Sequence, residues 1–296
     1  MTKPISKWLL IRTSVLAAGV FFLLAATNTG GDRSVIETRE AHRINESALK
    51  GLANENLPRN LGDLKLTYGK RKSFRGFAAD RTVLNSQQAV YGILGELKKR
   101  IAFPFEVQVV FEECGKPDSY YDEDSHEIII CYELIDAYSE LFSRSVKERT
   151  ARDEATKGAV ISMFLHEVAH ALIDRWDLSI TGREEDAADQ FSTLMLINGL
   201  PGGEEIAMDS ARSFKWLAVQ EKGLEKDYSD PHSFDEQRFY NIICLVYGHR
   251  PERYEYLIRN GSLPTERAFE CEEDYRRLNK SWQTLLAPHL IRSLEF

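Results

Sequence analysis

The chain has 296 residues, 43% hydrophobic and 10% aromatic, which is enough apolar content to bury a core and too much for global disorder. Its 46 acidic residues outnumber 38 basic ones, for a formal net charge of -8, and no basic stripe runs along it, which argues against nucleic acid as the main partner. At this length the choice is one large domain or two small ones.

In chain order, Lys3, Lys7 and Arg12 form a basic front before the uncharged apolar run Val15 to Ala26. This is the layout of a signal peptide over residues 1–27. The run is shorter than the roughly 20 apolar residues of a spanning helix. Extending it back to Trp8 brings in Arg12, while Leu24 spoils an A-x-A cleavage site. A cleaved signal is therefore preferred to a retained N-terminal anchor through residues 8–26, and either one predicts a periplasmic or secreted protein. Residues 28–60 are polar and mixed in charge and read as a linker, with a helical stretch near 35–49. The folded domain is expected over residues 61–296.

The segment LKLTY (64–68) alternates and suits a strand. A helix is predicted from Ser86, capped by Asn85 or Ser86 and stopped at Phe103-Pro104. Two β-rich runs follow, FEVQVVFEEC (105–114) and HEIIICYE (126–133). The turn-rich GKPDSYYDEDS (115–125) between them predicts a β-hairpin with a long loop. Helices are expected at 133–145, 152–175, 184–199, 203–222, 233–248 and 266–286, punctuated by Gly182, Gly199 to Gly202 and Asp230-Pro231. The predicted class is α+β, a small antiparallel sheet on a helical majority.

The four cysteines, Cys114, Cys131, Cys244 and Cys271, are an even set in an exported chain. They predict two disulfides, with three connectivities to choose from. The sequence-local pairing, Cys114–Cys131 with Cys244–Cys271, is preferred. No CxxC pair exists, so a cysteine zinc site is not expected.

The stretch ISMFLHEVAHALID (161–174) sets His166, Glu167 and His170 in an apolar helical run. Histidines at i and i+4 share a helix face and can converge on one metal ion. Glu167 lies about 100° further round, where it flanks an open coordination position and can take a proton from a metal-activated water. Three such polar groups without partners would cost about 1–3 kcal/mol each. Asp174 continues the same face, but i to i+8 spans about 12 Å along the axis, so the third ligand must come from elsewhere. GREEDAADQF (182–191) follows directly. Glu185 faces the histidines across a short antiparallel connection, and Asp189 at i+4 is placed to orient one imidazole. Glu184 and Asp186 fall on other faces and read as a solvated, dipole-favoured first turn. His232, before a helix that Ser233 and Glu236 would cap, is the candidate oxyanion donor, with Arg238 further along the same helix as a salt-bridging residue. Tyr120 and Tyr121 are candidates for lining a cleft, and His126 reads as exposed. His42, His249 and His289 show no partner pattern.

His166-Glu167-x-x-His170 followed by Glu185-x-x-Ala188-Asp189 resembles the gluzincin pattern, HExxH plus ExxxD. HEVAHALID, GREEDAADQF, ECG…CYEL and DEQRFYNIICLVYG resemble, more closely, a family of exported zinc metallopeptidases, from about Leu61 to the C-terminus. The resemblance implies a zincin-like domain, Zn2+ held by His166, His170 and Glu185, and Glu167 as general base acting on a peptide or protein substrate. It also implies a strand beside the HExxH helix that takes an extended peptide, supplied here by Ile128 to Cys131 or by Val107 to Phe111. The gap from His170 to Glu185 is short for gluzincins. The alternative is an inactive metallopeptidase-like binding module in which zinc is structural.

Overall fold

The structure, a computed structural model, describes residues 64–68, 81–103 and 105–291. The expected signal or anchor segment, the linker with its helical stretch, and the domain boundaries at 27 and 60 lie outside the described residues. No described helix is long and apolar enough to cross a membrane.

Four strands form one sheet: β1 (Leu64–Tyr68), β2 (Val107–Glu112), β3 (Ser119–Asp122) and β4 (Glu127–Cys131), in the order β1-β2-β4-β3. The α+β class is as expected, but the antiparallel hairpin is not. β1 runs parallel to β2, and β2 runs parallel to β4, with Val109 opposite Ile128. The segment read as a loop contains its own strand. After β2 the chain crosses to the far side, descends as β3, and turns back to insert β4 between them, with Ser119 opposite Ile130. The turn is held by Asp122 Oδ1, which accepts from the backbone N–H of Asp124 and Ser125 at 3.0 and 3.1 Å, an Asx turn. Ile128 to Cys131 are buried in succession, as a central strand covered on both faces requires.

The helices are α1 (Arg81–Arg100), α2 (Tyr132–Ser143), α3 (Arg149–Trp176), α4 (Glu184–Gly199), α5 (Gly203–Gln220), α6 (Asp235–His249), the short α7 (Pro251–Tyr254) and α8 (Tyr256–Arg259), and α9 (Thr265–Leu286). α1 begins at Arg81, before the expected Asn85 or Ser86 cap. α3 is the central rod. Its start is capped by Glu148, whose carboxylate accepts from Thr150 N and Ala151 N at 2.9 and 2.5 Å. Asp177, at φ 49°, ends it. Apolar side chains from Ala155 to Ile173 bury against α1, α2, α4, α5 and the β3–β4 side of the sheet.

α4 returns antiparallel along α3. Ser162 meets Ser192 at 3.1 Å, His166 meets Asp189 at 2.9 Å, and His170 meets Glu184 at 2.6 Å, so numbers rise on one helix as they fall on the other. The turn into α5 is tight. A Cβ at Gly203 would lie 1.8 Å from the Leu196 carbonyl oxygen, so only glycine fits there. Two disulfides fasten the rest. Cys114–Cys131 ties the loop after β2 to the end of β4, and Cys244–Cys271 ties α6 to α9. Both fit an oxidising compartment.

Candidate metal centre

His166 and His170 rise from one face of α3 with ring centroids 4.8 Å apart and Nε2 atoms 3.1 Å apart. Glu185, in the first turn of α4, brings Oε2 to 3.1 Å from His166 Nε2 and 3.4 Å from His170 Nε2. His232, from the segment before α6, places its Nε2 2.9 Å from the same oxygen. Three ring nitrogens from two stretches of chain thus meet around Glu185 Oε2.

The far side of each imidazole carries a carboxylate. His166 Nδ1 lies 2.9 Å from Asp189 Oδ1, His170 Nδ1 lies 2.6 Å from Glu184 Oε1, and His232 Nδ1 lies 3.0 Å from Asp230 Oδ1. An ionised carboxylate has no proton to give, so each Nδ1 donates; Nε2 is then a lone pair in the neutral ring and a second donor in the protonated one. This is the arrangement that fixes the tautomer of metal-binding histidines. Asp189 is itself gripped by Arg238, Nε to Oδ2 at 2.7 Å and NH2 to Oδ1 at 2.7 Å. The Arg238 guanidinium also stacks 3.9 Å above the Phe214 ring.

Several expectations change here. Glu184 is an exposed first-turn residue as expected, but its carboxylate also lies 2.6 Å from His170 Nδ1. Asp186 accepts from Ser233 Oγ at 2.6 Å. Ser233 therefore does not cap α6, whose first turn is closed by Gln237 Oε1 accepting from Phe234 N at 3.1 Å. Arg238 forms a salt bridge, but a buried one that holds Asp189, the carboxylate beside His166.

The charges follow from this packing. Burial by itself would raise the Glu185 carboxyl, but hydrogen bonds from His166, His170 and His232 outweigh it and hold the group far below the usual carboxylate range. Burial would lower His170; the Glu184 and Glu185 carboxylates reverse that and push it up to about 10. His166 is raised in the same way by Asp189 and Glu185. Burial also opposes ionised Asp189, and the Arg238 guanidinium together with His166 overcomes it.

Do these residues fit a metal ion? Two imidazole lone pairs and a carboxylate oxygen face one another at 3.1 to 3.4 Å. Such groups repel unless a cation or an added proton joins them, and the raised histidines express that demand in protons. A tetrahedral site with bonds of about 2.0–2.1 Å has ligand separations of about 3.3 Å. The donor set and its spacing fit.

Beside the cluster opens a cleft of about 570 Å³, lined by Tyr120 and Tyr121 of β3 and by Tyr228 to Pro231. Glu167 faces it, only 3% exposed, with Oε1 accepting from Ser119 Oγ at 2.9 Å. The strands expected to offer a free edge, Val107 to Phe111 and Ile128 to Cys131, are interior to the sheet; β3 ends it on the cleft side. Tyr121 is spoken for: its hydroxyl donates to Asp174 at 2.7 Å and meets His126 Nδ1 at 3.1 Å. Asp174 is thus no ligand, and His126 is half-buried rather than exposed. His249 sits between Tyr275 and Glu204, and His289 stacks on Trp176 at 3.8 Å. Sequence reasoning missed Ser119, Glu184 and Asp230. Only Asp230 left a signal, the Asp-Pro turn two residues before His232.

No curated protein and no solved structure matches the chain. The model of the family described as "Putative metallopeptidase" matches residues 72–286. That span holds every donor of the cluster and both disulfides, and the chain belongs to this family.

Proposed function

We propose that the protein is an exported zinc-dependent peptidase of the gluzincin type. In this reading His166, His170 and Glu185 hold Zn2+, Glu167 is the general base, and His232 donates to the oxyanion. The carrying observation is the convergence of two Nδ1-anchored imidazoles and one carboxylate beside an open cleft that Glu167 also faces. Two nitrogens and one oxygen are a catalytic zinc set and suit magnesium or calcium poorly. Bound there, the metal supplies a Lewis acid that polarises a carbonyl and makes water acidic. Glu167 Oε2 accepts the proton of the attacking water and returns it to the leaving amine. Ser119 keeps the other oxygen occupied. His232, its Nδ1–H held by Asp230, donates from Nε2 to the developing oxyanion when the ring is doubly protonated. An extended peptide or protein substrate pairs with β3, the strand that ends the sheet at the cleft.

One observation favours the second reading, an inactive binding module with structural zinc. His232 Nε2 reaches Glu185 Oε2 as closely as the other two rings do, and a fourth protein donor would close the site. The experiment that separates them measures metal content and turnover together. Wild type should carry one zinc per chain and cleave a mixed peptide library, with loss on chelation and recovery with zinc. His166→Ala and Glu185→Ala should lose both zinc and turnover. Zinc without any turnover in wild type would favour the binding module.

A further inference from the structure

Glu167 is a carboxylate buried on the central helix, and burying a charge is costly unless something donates to it. The donor comes from outside the helix. Ser119 Oγ, on the first residue of β3, donates to Glu167 Oε1 at 2.9 Å. We infer that Ser119 is the positioning residue that aims Glu167 at the cleft, an inference that rests on the peptidase reading above.

The placement of Ser119 is fixed from both sides. Ahead of it, the loop from β2 is stapled to β4 by Cys114–Cys131. Glu133 at the start of α2 accepts from Cys114 N at 3.2 Å and Gly115 N at 2.7 Å. Asp118 O accepts from Cys131 N at 3.0 Å, and the Lys116 ammonium pairs with the Asp118 carboxylate at 2.6 Å. Behind it, Ser119 is in register with Ile130. The hydroxyl therefore reaches Glu167 from a braced strand end rather than from a free loop.

The consequence is chemical. A carboxylate on a helix can rotate about three side-chain bonds. With Oε1 tied to a fixed strand, one rotamer is selected and Oε2 is left to accept the proton. Ser119 itself touches neither the metal donors nor the reacting atoms. Its loss should slow the proton step and leave substrate binding and metal binding alone. Threonine at this position carries the same hydroxyl and suits a strand.

The test compares wild type, Ser119→Ala and Ser119→Thr as zinc-loaded full chains, on the fastest-cleaved member of a fluorogenic mixed-sequence peptide library. Metal affinity is read in parallel by chelator competition. Ser119→Ala should lower kcat about tenfold, with KM and zinc affinity each within about twofold of wild type, since a hydrogen bond to a charged group carries that scale of effect. Ser119→Thr should recover kcat to within about threefold. A Ser119→Ala chain with wild-type kcat overturns the inference. So does one that loses zinc in step with kcat, which would make Ser119 a fold residue only, or a Thr variant as slow as the Ala variant. Wild type without chelator-sensitive cleavage would instead defeat the peptidase reading on which the inference stands.

Discussion

Arg238 holds Asp189 through two hydrogen bonds of 2.7 Å, one to each carboxylate oxygen, and both side chains are largely buried. Asp189 spends Oδ1 a second time on His166 Nδ1, so a guanidinium on α6 steers an imidazole on α3 through a carboxylate on α4. Removing one partner of such a pair leaves an uncompensated buried charge. Arg238→Ala should destabilise the metal-loaded protein by about 3 kcal/mol in chemical denaturation. Zinc affinity in chelator competition should fall about tenfold or more.

Glu167→Gln tests the base without disturbing the ligands. The amide keeps the size of the side chain and can still accept from Ser119 Oγ. One zinc per chain should remain by elemental analysis, while turnover drops by about 10²–10⁴. A fully active amide variant would remove Glu167 from the mechanism.

Glu184 and Glu185 are neighbours with different tasks, and alanine should separate them. Glu185 contributes the donor oxygen, so Glu185→Ala should abolish stoichiometric zinc. Glu184 only holds His170 Nδ1, so Glu184→Ala should retain zinc with affinity reduced about tenfold. Equal losses in the two variants would contradict this division.

The raised histidines predict a pH signature. In metal-free protein, carboxylates lift His170 from 6.5 to about 10 against the opposing effect of burial, and lift His166 as well. A folded value above the unfolded one contributes stability below the unfolded value and loses it as pH rises through the folded one. The melting temperature of chelator-treated protein should therefore fall between about pH 7 and pH 10. Zinc uptake at pH 7 should release protons, because the metal takes neutral imidazole. Calorimetry in buffers of different ionisation enthalpy would measure that release.

Cys244–Cys271 closes a sequence separation of 27 residues, so its removal frees substantial entropy in the unfolded chain. Cys244→Ser with Cys271→Ser should lower stability by about 3 kcal/mol. Zinc content should not change, since none of His166, His170 and Glu185 lies on α6 or α9.

Much of the site is legible because its ligands obey helix arithmetic. His166 and His170 at i and i+4 face Glu185 once the connection is short, and the i+4 step from Glu185 gives Asp189. Arithmetic fails where side-chain length matters more than facing. Glu184, which the wheel sets on another face, still brings a carboxylate oxygen to His170 Nδ1. The sheet is harder to read. β3 is a four-residue strand of half-buried polar and aromatic residues, set among turn formers that suppress its periodicity. With β3 unseen, β2 and β4 look like the two arms of a hairpin and their parallel pairing is invisible. Ser119, at the start of that strand, has no sequence signal at all, because its partner lies 48 residues away on another element.

The three candidate metal donors, His166, His170 and Glu185, lie within one helix–turn–helix, while His232 and Arg238 arrive 49 residues beyond Arg183 and Asp189 in the chain. Local pairings form faster than distant ones. A refolding chain that has paired α3 with α4 would thus bring these candidate donors together before His232 and Arg238 dock. Donor assembly would come first and the bracing of the imidazoles later, which makes α3 and α4 the scaffold on which the rest of the site is hung.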